Sequence, residues 1–155
     1  MKYLVLIILL QLSLFAEARQ LLDVNETRHL VEFAEGDAII LGSGKKKIYA
    51  FIDPYCKVSQ AYIKSLYKSE KRMFPKYSTY LFLFELPRKH SADMISTIYK
   101  SKNPQQMIKS IMVNGKKLPE IPTKQTDAKV QRIYKLAKKI GVHKRPYIVI
   151  NGKAY

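Results

Sequence analysis

Phe51-Ile52-Asp53-Pro54-Tyr55-Cys56-Lys57-Val58-Ser59 is the stretch on which the fold turns. It opens on the end of an apolar run, Ile48-Tyr49-Ala50-Phe51-Ile52, with the length and residue types of a buried strand. Asp53-Pro54 breaks that strand. Proline has no N–H for a central ladder, and it biases the residue before it away from helix. Beyond Cys56 the apolar spacing becomes helical: Val58, Ala61, Tyr62 and Leu66 share a face, with Lys57, Lys64 and Lys68 mostly elsewhere. The stretch therefore reads as strand, tight turn and helix, with Cys56 exposed in the first helical turn.

That position has chemical consequences. Free N–H groups and the helix dipole favour a thiolate there. Thiols so placed have pKa values lowered from about 8.5 into the range of about 3.5–7.5. The thiolate is the attacking species, and Lys57 adds positive charge beside it. Ser59 follows one turn later, where its hydroxyl can donate to the thiolate; a plain early-helix serine is the equal alternative. The chain has 1 cysteine, so it cannot close an intramolecular disulfide. An odd cysteine in an exported protein points to intermolecular pairing or to a reactive thiol. A buried, inert cysteine would sit well inside an element, on its apolar face.

Export is read from residues 1–18. Lys2 provides a positive start, Tyr3 to Phe15 is almost wholly apolar, and Ala16-Glu17-Ala18 has the A-x-A form of a cleavage site. The apolar run is short for a membrane span, which needs about 20 residues. Cleavage after Ala18 leaves a protein outside the cytoplasm with no stable membrane insertion. The remaining chain is ample for one domain: 155 residues in all, 47% of them hydrophobic. The 28 Lys and Arg against 12 Asp and Glu give a net charge of +16. The basic residues are scattered, apart from Lys45-Lys46-Lys47 and Lys138-Lys139, and read as a solvated surface; the field favours acidic partners.

Residues 19–35 read as a leader helix, capped by Asp23 with Glu26 completing a capping box. Ala38 to Leu41 reads as a strand, Gly42-Ser43-Gly44 as a turn, and Lys47 to Ile52 as the strand before the cysteine. Thr79 to Leu86 is a long apolar strand. Ser91 to Ser101 and Pro104 to Met112 are helices split at Lys102-Asn103. Asp127 to Ile140 is a helix closed by Gly141, and Tyr147 to Ile150 a strand ended by the Asn151-Gly152 turn. With the split pair as one unit, the order is β-β-α-β-α-α-β, a single α/β domain.

Several segments in this order resemble one known family. Phe51 to Ser59 is similar to the F-x-D-P-x-C-x-x-C motif of the bacterial disulfide isomerases of the DsbC/DsbG type, which have a thioredoxin-like fold. Phe84-Glu85-Leu86-Pro87-Arg88 resembles that family's strand ending in a proline-arginine pair, and Ser91-Ala92-Asp93 the opening of its inserted helix. Gly141-Val142-His143-Lys144-Arg145-Pro146 resembles its G-V-x-x-T-P loop, and Ile150-Asn151-Gly152 its strand and turn. The match runs from about Gly36 to Tyr155.

The resemblance implies an α/β, thioredoxin-like domain over 36–155 with a helical insertion. It implies that Pro146 is cis and faces Cys56, with Arg145 beside it, and that Arg145, Pro146 and Tyr55 bind substrate. Cys56 is then the catalytic nucleophile, Ser59 assists it, and no metal or cofactor is involved. Four departures qualify this. Ser59 stands where the family has its second cysteine, so a mixed disulfide has no resolving thiol within the chain. The amino-terminal dimerisation domain is missing. The insertion carries no cysteine pair. The final helix is missing too, which leaves one sheet face uncovered unless the sequence is truncated.

The resulting expectation is a periplasmic, isomerase-like thiol–disulfide exchange protein. Its partners are exported proteins with disulfides or free thiols and a redox partner protein, with no specific nucleic acid. The rival expectation is a non-catalytic thioredoxin-fold binding or assembly protein in a secretion or conjugation system. The 3 histidines, His29, His90 and His143, lack metal-ligand spacing, and only His143 is near enough to Pro146 to raise a Cys–His pair. Asp23-Val24-Asn25-Glu26-Thr27 matches an extended glycosylation sequon at Asn25, for which chance occurrence in a capping segment is the stronger reading. Gly42-Ser43-Gly44-Lys45 lacks the full phosphate-loop spacing.

Overall fold

A computed structural model describes residues 22–85, 89–122 and 127–155. The expected signal peptide, 1–18, and Leu86, Pro87 and Arg88 of the downstream motif lie outside the described residues.

The apolar run before Cys56 is strand β2 (Lys46–Ile52), and it is apolar throughout its second half because both its faces are covered. β1 (Ile39–Leu41), β3 (Tyr77–Leu83), β4 (Tyr147–Ile150) and β5 (Lys153–Ala154) complete a sheet of order β1-β3-β2-β4-β5. β2 and β3 are parallel, and the other neighbours are antiparallel. Side chains alternate across a strand, so Tyr49 and Phe51 face one way, and Ala50 and Ile52 the other. The register Tyr49↔Tyr80 and Phe51↔Phe82 stacks two aromatic pairs at 5.2 and 5.0 Å between centroids.

On the Ala50–Ile52 face lie helix α2 (Lys57–Lys68) and the inserted helices α4 (Ala92–Lys100) and α5 (Pro104–Ile108). A single π-helical segment, Lys109–Val113, follows α5, and the four-residue helix α3 (Glu70–Met73) links α2 to β3. On the aromatic face lie α1 (Val24–Phe33) and α6 (Ala128–Ile140), through Val31, Ile133, Ala137 and Ile140. The leader helix thus covers the aromatic face together with α6. Arg28 donates to the carbonyl of Asn151 at 3.0 Å, which fastens α1 to the β4–β5 turn. Asn151 (φ 52) and Gly152 (φ 82) form that turn, and a Cβ at Gly152 would collide with the carbonyl of Val24.

Three expectations on the elements are corrected. The inward face of α2 is Ser59, Ile63 and Leu66, whereas Val58 is 61% exposed and Ala61 is also outside. Polarity removes Ser59 from a search for an apolar stripe, yet its hydroxyl accepts from a buried backbone N–H and so satisfies both groups. Asp23 does cap α1, accepting from the N–H of Asn25 at 3.3 Å, but the Glu26 carboxylate lies 3.6 Å from Lys139 instead of closing a box. β3 ends at Leu83, short of the long strand expected to reach Leu86.

Two ion pairs hold the turn Glu35–Asp37 that precedes β1. Glu35 accepts from Lys47 at 2.9 Å and from the hydroxyl of Tyr49 at 2.6 Å, and Asp37 takes both arms of Arg132 at 2.7 and 2.6 Å. Burial pushes the Glu35 carboxyl up, but the Lys47 and Tyr49 hydrogen bonds outweigh it and leave the pKa below 4.5. A depressed folded pKa adds stability above the unfolded value, lost as pH falls through the folded one. Stability measured by urea unfolding should therefore decline below pH about 4.5, and less steeply in Glu35→Gln. The corrected face of α2 gives a second test. Ile63→Ala should cost about 2–5 kcal/mol, and Val58→Ala should stay within about 0.5 kcal/mol.

Candidate active site

Where β2 ends, three chain segments converge. Asp53 is wholly buried and folds the turn around its own carboxylate: Oδ1 accepts from the N–H of Tyr55 at 2.8 Å, the short-range bond that makes Asp a turn former. Oδ2 accepts from the hydroxyl of Ser91 at 2.8 Å, and Ser91 immediately precedes α4. The backbone of Asp53 takes part as well. Its N–H donates to Ser59 Oγ at 3.3 Å, and its carbonyl accepts from the N–H of Cys56 at 3.1 Å. The side chain of Gln60 donates to the Pro54 carbonyl at 2.8 Å, which closes the turn from outside.

Cys56 is thereby set as the N-cap of α2, with φ −80° and ψ 119° and no side-chain cap bond. Its carbonyl accepts the first helical hydrogen bond, from Gln60 at 2.9 Å. This moves it one position outward from the first helical turn. It also corrects the expectation of exposure: Cys56 is 8% exposed. The residue is lodged between the end of β2 and neighbouring loops, where a reading of α2 alone would leave it open to solvent.

The third segment is the loop before β4. The register Phe51↔Tyr147 sets Pro146 beside the end of β2, and the Arg145–Pro146 peptide is cis. Arg145 does not extend into solvent; it is 8% exposed. Its guanidinium lies 4.0 Å above the ring of Phe84 and donates to the carbonyls of Lys144 (2.9 Å), Phe84 (3.4 Å) and Glu85 (3.5 Å). Burial pulls its pKa down to about 10, opposed by its electrostatic interactions with Asp53 and Cys56. Arg145 thus remains cationic at neutral pH and acts on both groups electrostatically.

Tyr55 is partly buried, and its hydroxyl donates to the carboxylate of Glu120 in the loop after the insertion. Burial, and then Glu120, push its pKa up to about 12. His143 does not complete a Cys–His pair in this arrangement: its Nδ1 lies 3.0 Å from the Gly141 carbonyl, and its ring packs edge-on to Tyr147 at 5.7 Å. Among the described residues, no group of three or more His, Cys, Asp or Glu converges as a metal site would require.

The structure therefore gathers Cys56, Ser59, Tyr55, Arg145 and Pro146 at one end of the sheet. Asp53 and Ser91 join them, although the sequence reading had them only as motif letters. The Asp-Pro pair was the available signal, since an aspartate ahead of a strand-breaking proline commonly bonds to its own turn. Ser91 carried no such sign, because its partner is 38 residues away. Ser91→Ala removes a hydrogen bond to a buried carboxylate and should cost about 1.5–3 kcal/mol in urea unfolding.

No family model matches the chain, and no curated protein matches it. Solved structures do. A disulfide interchange protein from Neisseria gonorrhoeae superposes with a TM-score of 0.60 at 23% identity, over 78% of this chain and 85% of that one. ScsC from Proteus mirabilis in a transitional conformation gives 0.70 at 15% identity, over 99% and 81%. Oxidised BdbD from Bacillus subtilis gives 0.61 at 12%, over 77% and 84%. Likeness at these identities is likeness of fold, and the sheet order, the insertion between β3 and α6 and the cis-proline loop agree with it: the chain has a thioredoxin-like fold with a helical insertion.

Proposed function

We propose that this protein carries out thiol–disulfide exchange on exported proteins outside the cytoplasm, as a one-sulfur relative of the DsbC/DsbG isomerases. The observation that carries the reading is the setting of Cys56. It caps a twelve-residue helix, with a buried cationic Arg145 and a cis-proline loop beside it.

The chemistry balances without an external oxidant. The Cys56 thiolate attacks one sulfur of a client disulfide; a bond forms between Cys56 and that sulfur, and the other client sulfur leaves as a thiolate. A second client thiolate then attacks the client sulfur of the mixed disulfide. A new client disulfide forms, and Cys56 departs as the thiolate. One client disulfide has been exchanged for another. Ser59 is the wrong atom to resolve the intermediate, and its hydroxyl oxygen accepts from Asp53. Its contribution is to hold the turn, with its own proton free to point elsewhere. Arg145 stabilises the thiolate, and the Pro146 loop receives the client backbone.

The low exposure of Cys56 favours the rival reading, a binding module on the same fold. Reaction of the reduced protein with neutral 2,2′-dipyridyl disulfide separates the two. Exchange chemistry predicts release of pyridine-2-thione roughly tenfold or more faster than from the urea-unfolded chain, and none from Cys56→Ser. A native rate at or below the unfolded one sinks the exchange reading and leaves the binding module. With a scrambled-disulfide client, wild type should restore activity and Cys56→Ser should not.

A further inference from the structure

Lined by Tyr55 and Lys57, the residues on either side of Cys56 in sequence, lies a cleft of about 560 Å³. It runs between the first two turns of α2 and the segment that follows the π-helical turn. Its floor is apolar: Met94, Ile111 and Met112 are buried beneath it, and Leu118 is half-buried at its edge. Its rim is basic. Lys57 and Lys64 stand one above the other's neighbouring turns on α2, and Lys116 and Lys117 face them from the loop, all four exposed. Glu120 is the rim's carboxylate, and it is tied to the hydroxyl of Tyr55.

The loop that carries this rim is held in place. The N–H of Lys116 donates to the Ser110 carbonyl at 3.0 Å, and the N–H of Ile121 to Thr97 Oγ1 at 2.7 Å. Thr97 in turn donates to the Asp93 carbonyl at 2.7 Å, so the loop is anchored to α4. Four lysines around an apolar floor complement one class of ligand: an extended peptide with carboxylates along its edges and apolar side chains between them. A flat lipid surface does not enter a concave cleft.

We infer that this cleft is the client subsite of the protein, and that it selects acidic, apolar-centred segments flanking the client's reacting cysteine. Tyr55 and Lys57 flank Cys56 and both line the cleft, which places it next to the position of a client joined to that sulfur. The inference rests on the exchange reading for its biological sense, but the cleft is tested without any sulfur chemistry.

The test is fluorescence anisotropy of short labelled peptides that carry serine in place of the client cysteine. One has leucines flanked by glutamates, and its mate has lysines in place of the glutamates. The acidic peptide should bind and the basic one should not, with binding weakened by salt as exposed charges are screened. Lys64→Glu/Lys116→Glu should weaken the acidic peptide by about fivefold or more. Lys45→Glu/Lys46→Glu makes the same change in net charge on exposed residues at the other end of β2, and should have less than about a twofold effect. Equal losses from both variants would overturn the subsite and assign the preference to the whole-protein field. Absence of binding by the wild type would also overturn it. If the double variant fails to fold, as judged by circular dichroism, Lys117→Glu in the exposed loop takes its place, with about a twofold loss expected and no loss counting against the subsite. The dipyridyl disulfide reaction of the wild type fails separately. Binding with no thione release would leave the cleft standing and remove the exchange reading, and thione release with no acidic preference would do the reverse.

Discussion

One buried carboxylate holds the working end of this molecule together. Asp53 ends β2, shapes the turn through Tyr55, holds the entry to the insertion through Ser91 and feels the guanidinium of Arg145 from the β4 loop. Three segments far apart in sequence are thereby referred to a single group. Removing a carboxylate from water costs several kcal/mol unless hydrogen bonds and a compensating charge replace the solvent. Both are present here, and each comes from a different segment. The carboxylate is therefore tolerated only when all of those segments are docked, which couples the geometry around Cys56 to the assembly of the whole sheet end.

How far this was legible in the sequence follows from the range of each interaction. The strand, the Asp-Pro break and the helix are local features, read from the period of apolar residues and the chemistry of proline. The cap at Asp23 and the αL glycine at Gly141 are local too, and both are where the residue types place them. The failures are non-local. Nothing in the sequence neighbours of Cys56 says that it is buried, or that Arg145, some 90 positions later, folds inward over Phe84. The rotated face of α2 failed for a related reason. Ser59 belongs to the buried face only because the strand end presents it with a backbone N–H, and an apolar pattern cannot register a polar residue that is satisfied at a distance.

The leader helix teaches the same point from the other side of the sheet. Its sequence shows an amphipathic helix, but does not say that the helix lies on the aromatic face next to α6. Val31, packed among Tyr49, Phe51 and Ile133, closes that face. The stacked pairs Tyr49–Tyr80 and Phe51–Phe82 present a broad apolar surface that must be covered by something. Burying a single large apolar side chain contributes roughly 1.5–3 kcal/mol, so leaving that surface wet would remove much of the stability of a domain of this size.

On the exchange reading proposed above, the single cysteine of this chain changes which step the site has to favour. A dithiol protein escapes from a mixed disulfide by its own second thiol. A protein with one cysteine then waits for the client, and on this reading its turnover depends on how readily Cys56 departs when a client thiolate attacks. A sulfur whose thiolate is well stabilised is a weaker nucleophile but a better leaving group. On the exchange reading, the cation of Arg145 and the start of α2 both favour departure. On that reading a buried guanidinium at position 145, where the resembling loop motif has threonine, favours both the population of attacking thiolate and its departure, and departure is the step that a chain with one cysteine leaves to the client.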